Sequence, residues 1–174
     1  MVRPILGLLV ALLFVTSLFG LASAQGFLFV DPGGTYSTLI PDQWVFQAHL
    51  STPQLIVFYG EADYDLLYFE SLGKTIYESA KELAERSLEL FASPGGLDQF
   101  QLHEEPEAIY VAGQWGFSCS YSYQDSRGNT LTEYRIFFLL PGQTGFSIAV
   151  SGDSSLEVEG SFFEDILIHW RWLF

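Results

Sequence analysis

Twenty-one acidic side chains against seven basic ones give this chain of 174 residues a formal net charge of −14. It lacks the clustered Lys and Arg that hold a phosphate backbone, which excludes a general nucleic-acid binder and disfavours docking to anionic lipid. With 16 Phe, 9 Tyr and 4 Trp but a single cysteine, stability has to come from a continuous aromatic core and not from an intramolecular disulfide.

Residues 1–24 have the pattern of a targeting segment. Arg3 is their only charge, an apolar run extends from Ile5 to Leu21, and Ala22-Ser23-Ala24 supplies the small-x-small site that a signal peptidase accepts. Cleavage after Ala24 is expected, with an exported single domain over 25–174. The alternative is a retained membrane anchor, for which the run is nearly long enough at roughly 20 residues. No cysteine lies at the cleavage site to take a lipid. Loss of Arg3 leaves 6 basic against 21 acidic side chains, a net charge of −15.

Strand signals follow in "YSTLI", "WVFQAHL", "QLIVFYG" and "YDLLYFES", separated by Pro-Asp, Ser-Thr-Pro and Gly-Glu-Ala-Asp turns, and they predict hairpins in one antiparallel sheet. In "YSTLIPDQW" Pro41 fixes φ and stops the strand, Asp42 closes the turn, and Trp44 is expected in the core. An exposed, ligand-stacking Trp44 is the alternative.

The period then changes. Ile76, Ala80, Leu83, Ala84, Ser87, Leu90 and Phe91 share one helical face, opposite Glu78, Lys81, Glu82, Glu85, Arg86 and Glu89. Thr75 with Glu78 forms a capping-box pattern, and "SPGG" from Ser93 ends the helix. Lys81 with Glu85 and Glu82 with Arg86 are spaced to pair, predicting a solvated outer face and not a binding site.

"QFQLHEE" and "EAIYVAG" precede three long strands, "QWGFSCSYSYQ", "TLTEYRIFFLL" and "GFSIAVSG", whose joining loops "DSRGN" and "PGQTG" predict a meander. In the first of these strands Trp115, Phe117, Cys119, Tyr121 and Tyr123 alternate with polar or small residues, so Cys119 is expected as a small buried apolar side chain and not a reactive thiol. The closing "SFFEDILIHWRWLF" predicts a second helix, capped by Ser161 with Glu164, burying Phe162, Phe163, Ile166, Leu167 and Trp170 on the sheet.

Two stretches imitate hydrolase motifs. "SGDSS", residues 151–155, follows His49 in the order of a serine-protease triad, but the chain is too short for that double barrel and the glycines after the serine are missing. "GFSCS" lacks the last glycine of the nucleophile elbow. Two acidic turns offer oxygen ligands for a calcium ion: Glu61, Asp63 and Asp65 in one, His103, Glu104, Glu105 and Glu107 in the other. Neither has a complete ligand motif, so both are expected to be solvated turns; His169 has no second histidine beside it in sequence.

The order of elements resembles the PsbP/Mog-like family. A Tyr-led strand ends in Pro-x-x-Trp at Tyr36, Pro41 and Trp44, a Gly-aromatic strand "GQWGFSCSY" opens the meander, and Phe163, Ile166, Leu167 and Trp170 match the closing helix. The resemblance implies an α+β fold, an antiparallel sheet flanked by helices in an α/β/α sandwich. That family includes photosystem-II accessory proteins and Ran-binding proteins, so the fold does not choose a function. No family active site is carried over.

The expectation is therefore an exported, non-catalytic accessory or binding module without metal or cofactor, whose protein partner presents a basic surface. It would not insert stably in a membrane after leader cleavage. The rival is a carrier holding a small apolar ligand between sheet and helix, which would require a ring-lined cavity of several hundred Å³. An enzyme would require a concave cluster of perturbed ionisable groups.

Overall fold

The computed structural model describes residues 26–62, 64–153 and 160–174. The leader and its cleavage site, Asp63, Ser154, Ser155 and the side chains of Ser161 and Phe162 lie outside the described residues, and with them the Ser161–Glu164 cap. The elements in chain order are β1 (Gly26–Val30), β2 (Tyr36–Pro41), β3 (Val45–Phe46), β4 (Leu55–Tyr59), β5 (Leu66–Lys74), α1 (Ala80–Phe91), β6 (Asp98–Val111), β7 (Gln114–Gln124), β8 (Thr130–Leu140), β9 (Thr144–Asp153), α2 (Gly160–Ile168) and β10 (Arg171–Trp172).

Seven strands form the main antiparallel sheet in the order β3-β4-β5-β9-β8-β7-β6, and a small sheet has the order β1-β2-β10. The predicted meander is β7-β8-β9. Its middle strand alternates between two covered faces. On one, Leu83, Ala84 and Leu88 of α1 pack against Cys119, Tyr121 and Phe137. On the other, Tyr36, Ile40, Phe163, Ile166 and Trp170 pack against Ile136, Phe138, Phe146, Ile148 and Val150. The result is the expected α/β/α sandwich with a small sheet added to the α2 layer.

That added sheet corrects the reading of the first strands. β2 does not join the main sheet; it pairs with β1 and β10, neither of which was foreseen. The chain changes layer at "PDQW", where the Trp44 amide donates to the Pro41 carbonyl at 3.0 Å and the indole is buried. "WVFQAHL" then contributes only the two residues of β3, because the amides of Leu50 and Ser51 turn back to the Gln47 carbonyl.

Helix α1 starts four residues later than predicted. Thr75 is held against the β8–β9 turn, its amide donating to the Gln143 carbonyl at 2.9 Å, so the cap falls to Ser79, whose Oγ accepts from the Glu82 amide at 3.1 Å. The Glu82 carboxylate accepts in turn from the Glu78 amide at 2.9 Å. Ile76 is consequently 90% exposed, and Leu90 also points outward. The helix ends at "SPGG" as predicted. A Cβ on Gly96 would stand 2.4 Å from the carbonyls of Leu90 and Phe91, a close approach only glycine permits.

"QFQLHEE" and "EAIYVAG" prove to be one 14-residue strand, β6, which tolerates Pro106 because it lies at the sheet edge. The closing helix is shorter than expected. After Ile168 the chain straightens so that Arg171 and Trp172 pair with Ser37 and Tyr36. Trp170 is fully buried in that connection, its ring stacked on Tyr36 at 4.4 Å, and the Thr38 hydroxyl ties β2 to the Ile166 carbonyl at 2.7 Å. Phe117, expected in the core, is half-buried.

Trp170→Ala should therefore cost about 3 to 5 kcal/mol of stability, whereas Trp115→Ala, at a site 64% exposed, should stay within about 0.5 kcal/mol. Chemical denaturation of both variants is the measurement; equal losses would contradict the placement of the two rings.

Candidate docking groove between helix and edge strand

Helix α1 buries Ala80, Leu83, Ala84 and Leu88, and its contacts run to β6, β7 and β8. Because β6 is the last strand of the sheet, one flank of the helix has no further element against it among the described residues. A groove of about 470 Å³ remains there. Leu88, Ala92, Phe100, Leu102 and Pro106 provide its apolar floor, Glu82, Glu85 and Glu89 one wall and Glu105 the other, with Arg86 the sole cation among the lining residues.

The wall charges are the ones the sequence reading assigned to a solvated face. Lys81 pairs with Glu85 at 3.6 Å as predicted. The expected Glu82–Arg86 pair is replaced: Glu82 caps the helix, and Arg86 reaches Glu89 at 2.7 Å. Both ion pairs are exposed and hold these side chains only weakly. Four carboxylates against Arg86, and Lys81 beside Glu85, leave the groove net negative.

The other predicted candidates are dispersed. Asp65 closes its own turn, its carboxylate accepting from the Ala62 amide at 3.0 Å, and Glu61 is exposed beside it. His103, Glu104, Glu105 and Glu107 are all exposed on β6, with Glu104 and Glu107 beside Ser118 and Tyr134 in a second hollow of about 280 Å³ that Glu105 also borders. Among the described residues no three His, Cys, Asp or Glu side chains converge as a metal site. His49 is exposed in the turn after β3, Ser151 is buried within β9, and His169 contacts the Asp165 carbonyl at 2.8 Å. Ser118 of "GFSCS" donates to the Glu107 carbonyl at 3.4 Å.

One cluster went unnoticed in the sequence. Glu133 and Arg135, two residues apart on β8, both point beneath α1 and are 1% and 6% exposed. Arg135 Nε donates to Glu133 Oε1 at 2.9 Å, and its Nη1 donates to Glu70 at 3.2 Å and Ser147 at 3.3 Å. The second oxygen of Glu133 accepts from Tyr68 at 2.6 Å; Tyr121 donates to the first oxygen, and Arg135 also donates to the Tyr68 hydroxyl. The rings of Tyr68, Phe91 and Phe137 surround the guanidinium at 5.0, 5.4 and 5.6 Å. The only sequence signal was a Glu-x-Arg pair inside an otherwise apolar strand.

Burial, reinforced by the Glu133 charge, pushes the Tyr68 and Tyr121 phenols well above their ordinary range. Burial likewise pushes the Cys119 thiol up to about 12, with Arg135 offsetting part of the effect, so the thiol stays protonated as expected. None of these perturbed groups lines the groove. The cluster joins β5, β7, β8 and β9 from within.

Arg135→Met should destabilise by about 3 to 5 kcal/mol, because Glu133 would lose its buried cation, while the double variant Arg135→Met/Glu133→Leu should recover much of that loss. Denaturation midpoints of these two variants and of Glu133→Leu alone decide between a coupled pair and independent contributions.

No protein-family model and no curated protein matches this chain. Solved structures do. The Saccharomyces cerevisiae Ran-binding protein Mog1p superposes with a TM-score of 0.60 at 11% identity, covering 86% of this chain and 96% of its own. The cyanobacterial PsbP protein CyanoP of Synechocystis gives 0.61 at 17% identity, covering 91% and 98%. LpqN of Mycobacterium tuberculosis, described as involved in cell envelope biogenesis, gives 0.56 at 16% identity, covering 86% and 91%. Likeness at such low identity concerns architecture alone, and on that level the chain has the PsbP/Mog-like fold.

Proposed function

We propose that this protein is an exported, non-catalytic accessory module that docks a protein partner through a basic surface on that partner. The observation that carries this reading is the groove beside α1, where an apolar floor lies between carboxylate walls. Apolar contact supplies affinity there, and the negative field speeds encounter with a basic partner. Mog1p, a Ran-binding protein of the same fold, lends support as a protein-binding precedent, and LpqN as an envelope-related one.

The carrier reading has less support. The space between α1 and the sheet is an open, acid-walled trough with Phe100 as its one aromatic ring, and the core aromatics pack against one another instead of around a cavity. Catalysis has less again, since the buried phenols of Tyr68 and Tyr121 are enclosed in the Arg135 cluster and do not line the groove.

Export rests on the pattern of residues 1–24. Among the described residues no helix is long and apolar enough to cross a membrane. Intact mass of the exported protein should correspond to a chain beginning at Gln25; recovery of the full-length mass in the membrane fraction would replace the soluble assignment with a tethered one.

For a partner cross-linked in the exported fraction and then purified, the association rate should fall steeply as salt rises, and Glu85→Gln/Glu89→Gln should flatten that dependence. A rate indifferent to salt would reduce the acidity to a solubility feature.

A further inference from the structure

We infer that the partner enters the groove as an amphipathic basic helix and not as a β-strand added to the edge of the sheet. This rests on the proposed docking of a basic partner at the same groove and concerns the form that partner takes.

A 14-residue edge strand is ordinarily a template for strand addition, because its outer amides and carbonyls are free to pair. β6 is broken against that use. Its register with β7 shifts between Asp98 and Gln101, between Leu102 and Glu104, and between Glu104 and Glu107. Gln99 has a φ of 50°, and Pro106 has no amide to give. Pairing with β7 is unbroken only from Glu107 to Val111, beyond the residues that line the groove. An incoming strand would find regular edge where the groove is absent, and irregular edge where it is present.

The α1 wall of the groove sets its charges in a row along the helix axis. Glu82, Glu85 and Glu89 are three and four residues apart on α1, so their carboxylates follow one flank of it over about 10 Å. Glu105 faces them from β6 across a floor that includes Leu102 and Pro106. A volume of about 470 Å³ takes a few side chains but not a whole helix. A helix lying across the mouth would insert apolar anchors at i, i+3 or i+4 and i+7, and Lys or Arg on each side of that stripe would meet both walls. Charge complementarity selects a basic helix over an acidic one.

The test uses the protein over 25–174 and three labelled peptides, titrated by fluorescence anisotropy at low salt. Two share one Lys/Leu composition, with Leu at helical period in one and strictly alternating in the other; the third replaces Lys by Glu at helical period. The helical Lys/Leu peptide should bind best and gain helicity on binding. Hydrogen exchange of the unmodified protein should then slow over 82–92 and 100–106. Glu85→Lys/Glu89→Lys should weaken binding about tenfold, whereas Glu61→Lys, which alters charge at the β4–β5 turn, should change it little.

Preferential binding of the alternating peptide, with slowed exchange along 107–111, would overturn the helix and leave the basic-partner reading standing. Equal weakening by the Glu61 and Glu85/Glu89 substitutions, or unchanged exchange over 82–92, would remove the groove as the site. Binding of neither basic peptide beyond the Glu peptide would overturn both the helix and the reading beneath it.

Discussion

A guanidinium shut inside the sheet governs the arrangement of this protein. Arg135 is nearly inaccessible, and an unpaired buried charge is too costly to keep, so the surrounding strands must supply its partners. They do so from four directions: Glu133 on its own strand, Glu70 and Tyr68 on β5, Ser147 on β9, and Tyr121 through Glu133 on β7. Phe91, the last residue of α1, closes the site from above. Seating Phe91 there fixes the helix over β7 and β8. β6 is then left at the margin, and the groove is the space that this placement does not fill.

The opposite face is held mainly by aromatic packing. There the Tyr36–Trp170 stack joins the first and last parts of the described chain, with Phe69 and Phe146 against the same rings. The turn at Pro41 makes this possible by sending β2 into one layer and β3 into another. Gly116 allows a second close approach, since a Cβ there would stand 2.7 Å from the Phe138 ring. The Gly-aromatic pattern that suggested the fold therefore has a packing cause. One face is held by directed hydrogen bonds and the other by ring area, and both converge on β8 and β9.

How much of this was legible depends on whether a feature is periodic. α1 and the three meander strands were visible because alternation and the 3.6-residue period follow directly from which face is buried. β1 and β10 were not: β10 is two residues long, and the Gly26–Val30 stretch carries apolar residues in an unbroken run that gives no alternation. The helix start was missed because two Ser/Thr-x-x-Glu patterns lie four residues apart, and only the Thr75 amide bond to Gln143 decides between them. The groove was illegible in a stronger sense. Its α1 wall was correctly placed on the polar side of that helix, but that an open groove remains between the helix and β6 depends on the contact between Phe91 and Arg135, more than forty positions away. The Arg135 cluster likewise draws its members from distant strands, and the Glu133-x-Arg135 pair on β8 is the one local trace of it.

The same cluster sets an alkaline boundary for the fold. Tyr68 and Tyr121 can donate to Glu133 only while their hydroxyls keep their hydrogens, and burial holds those hydrogens far more tightly in the native state than in the unfolded chain. Below about pH 10 both states are protonated and the bonds persist; above it the unfolded chain sheds its phenolic protons first, and every further rise draws the equilibrium away from the native state. Two protons thus serve as structural components of the buried cluster. Their removal would strip Glu133 of the two hydroxyl donors that tie β5 and β7 to β8, leaving the backbone ladders of those strands to hold the sheet unaided.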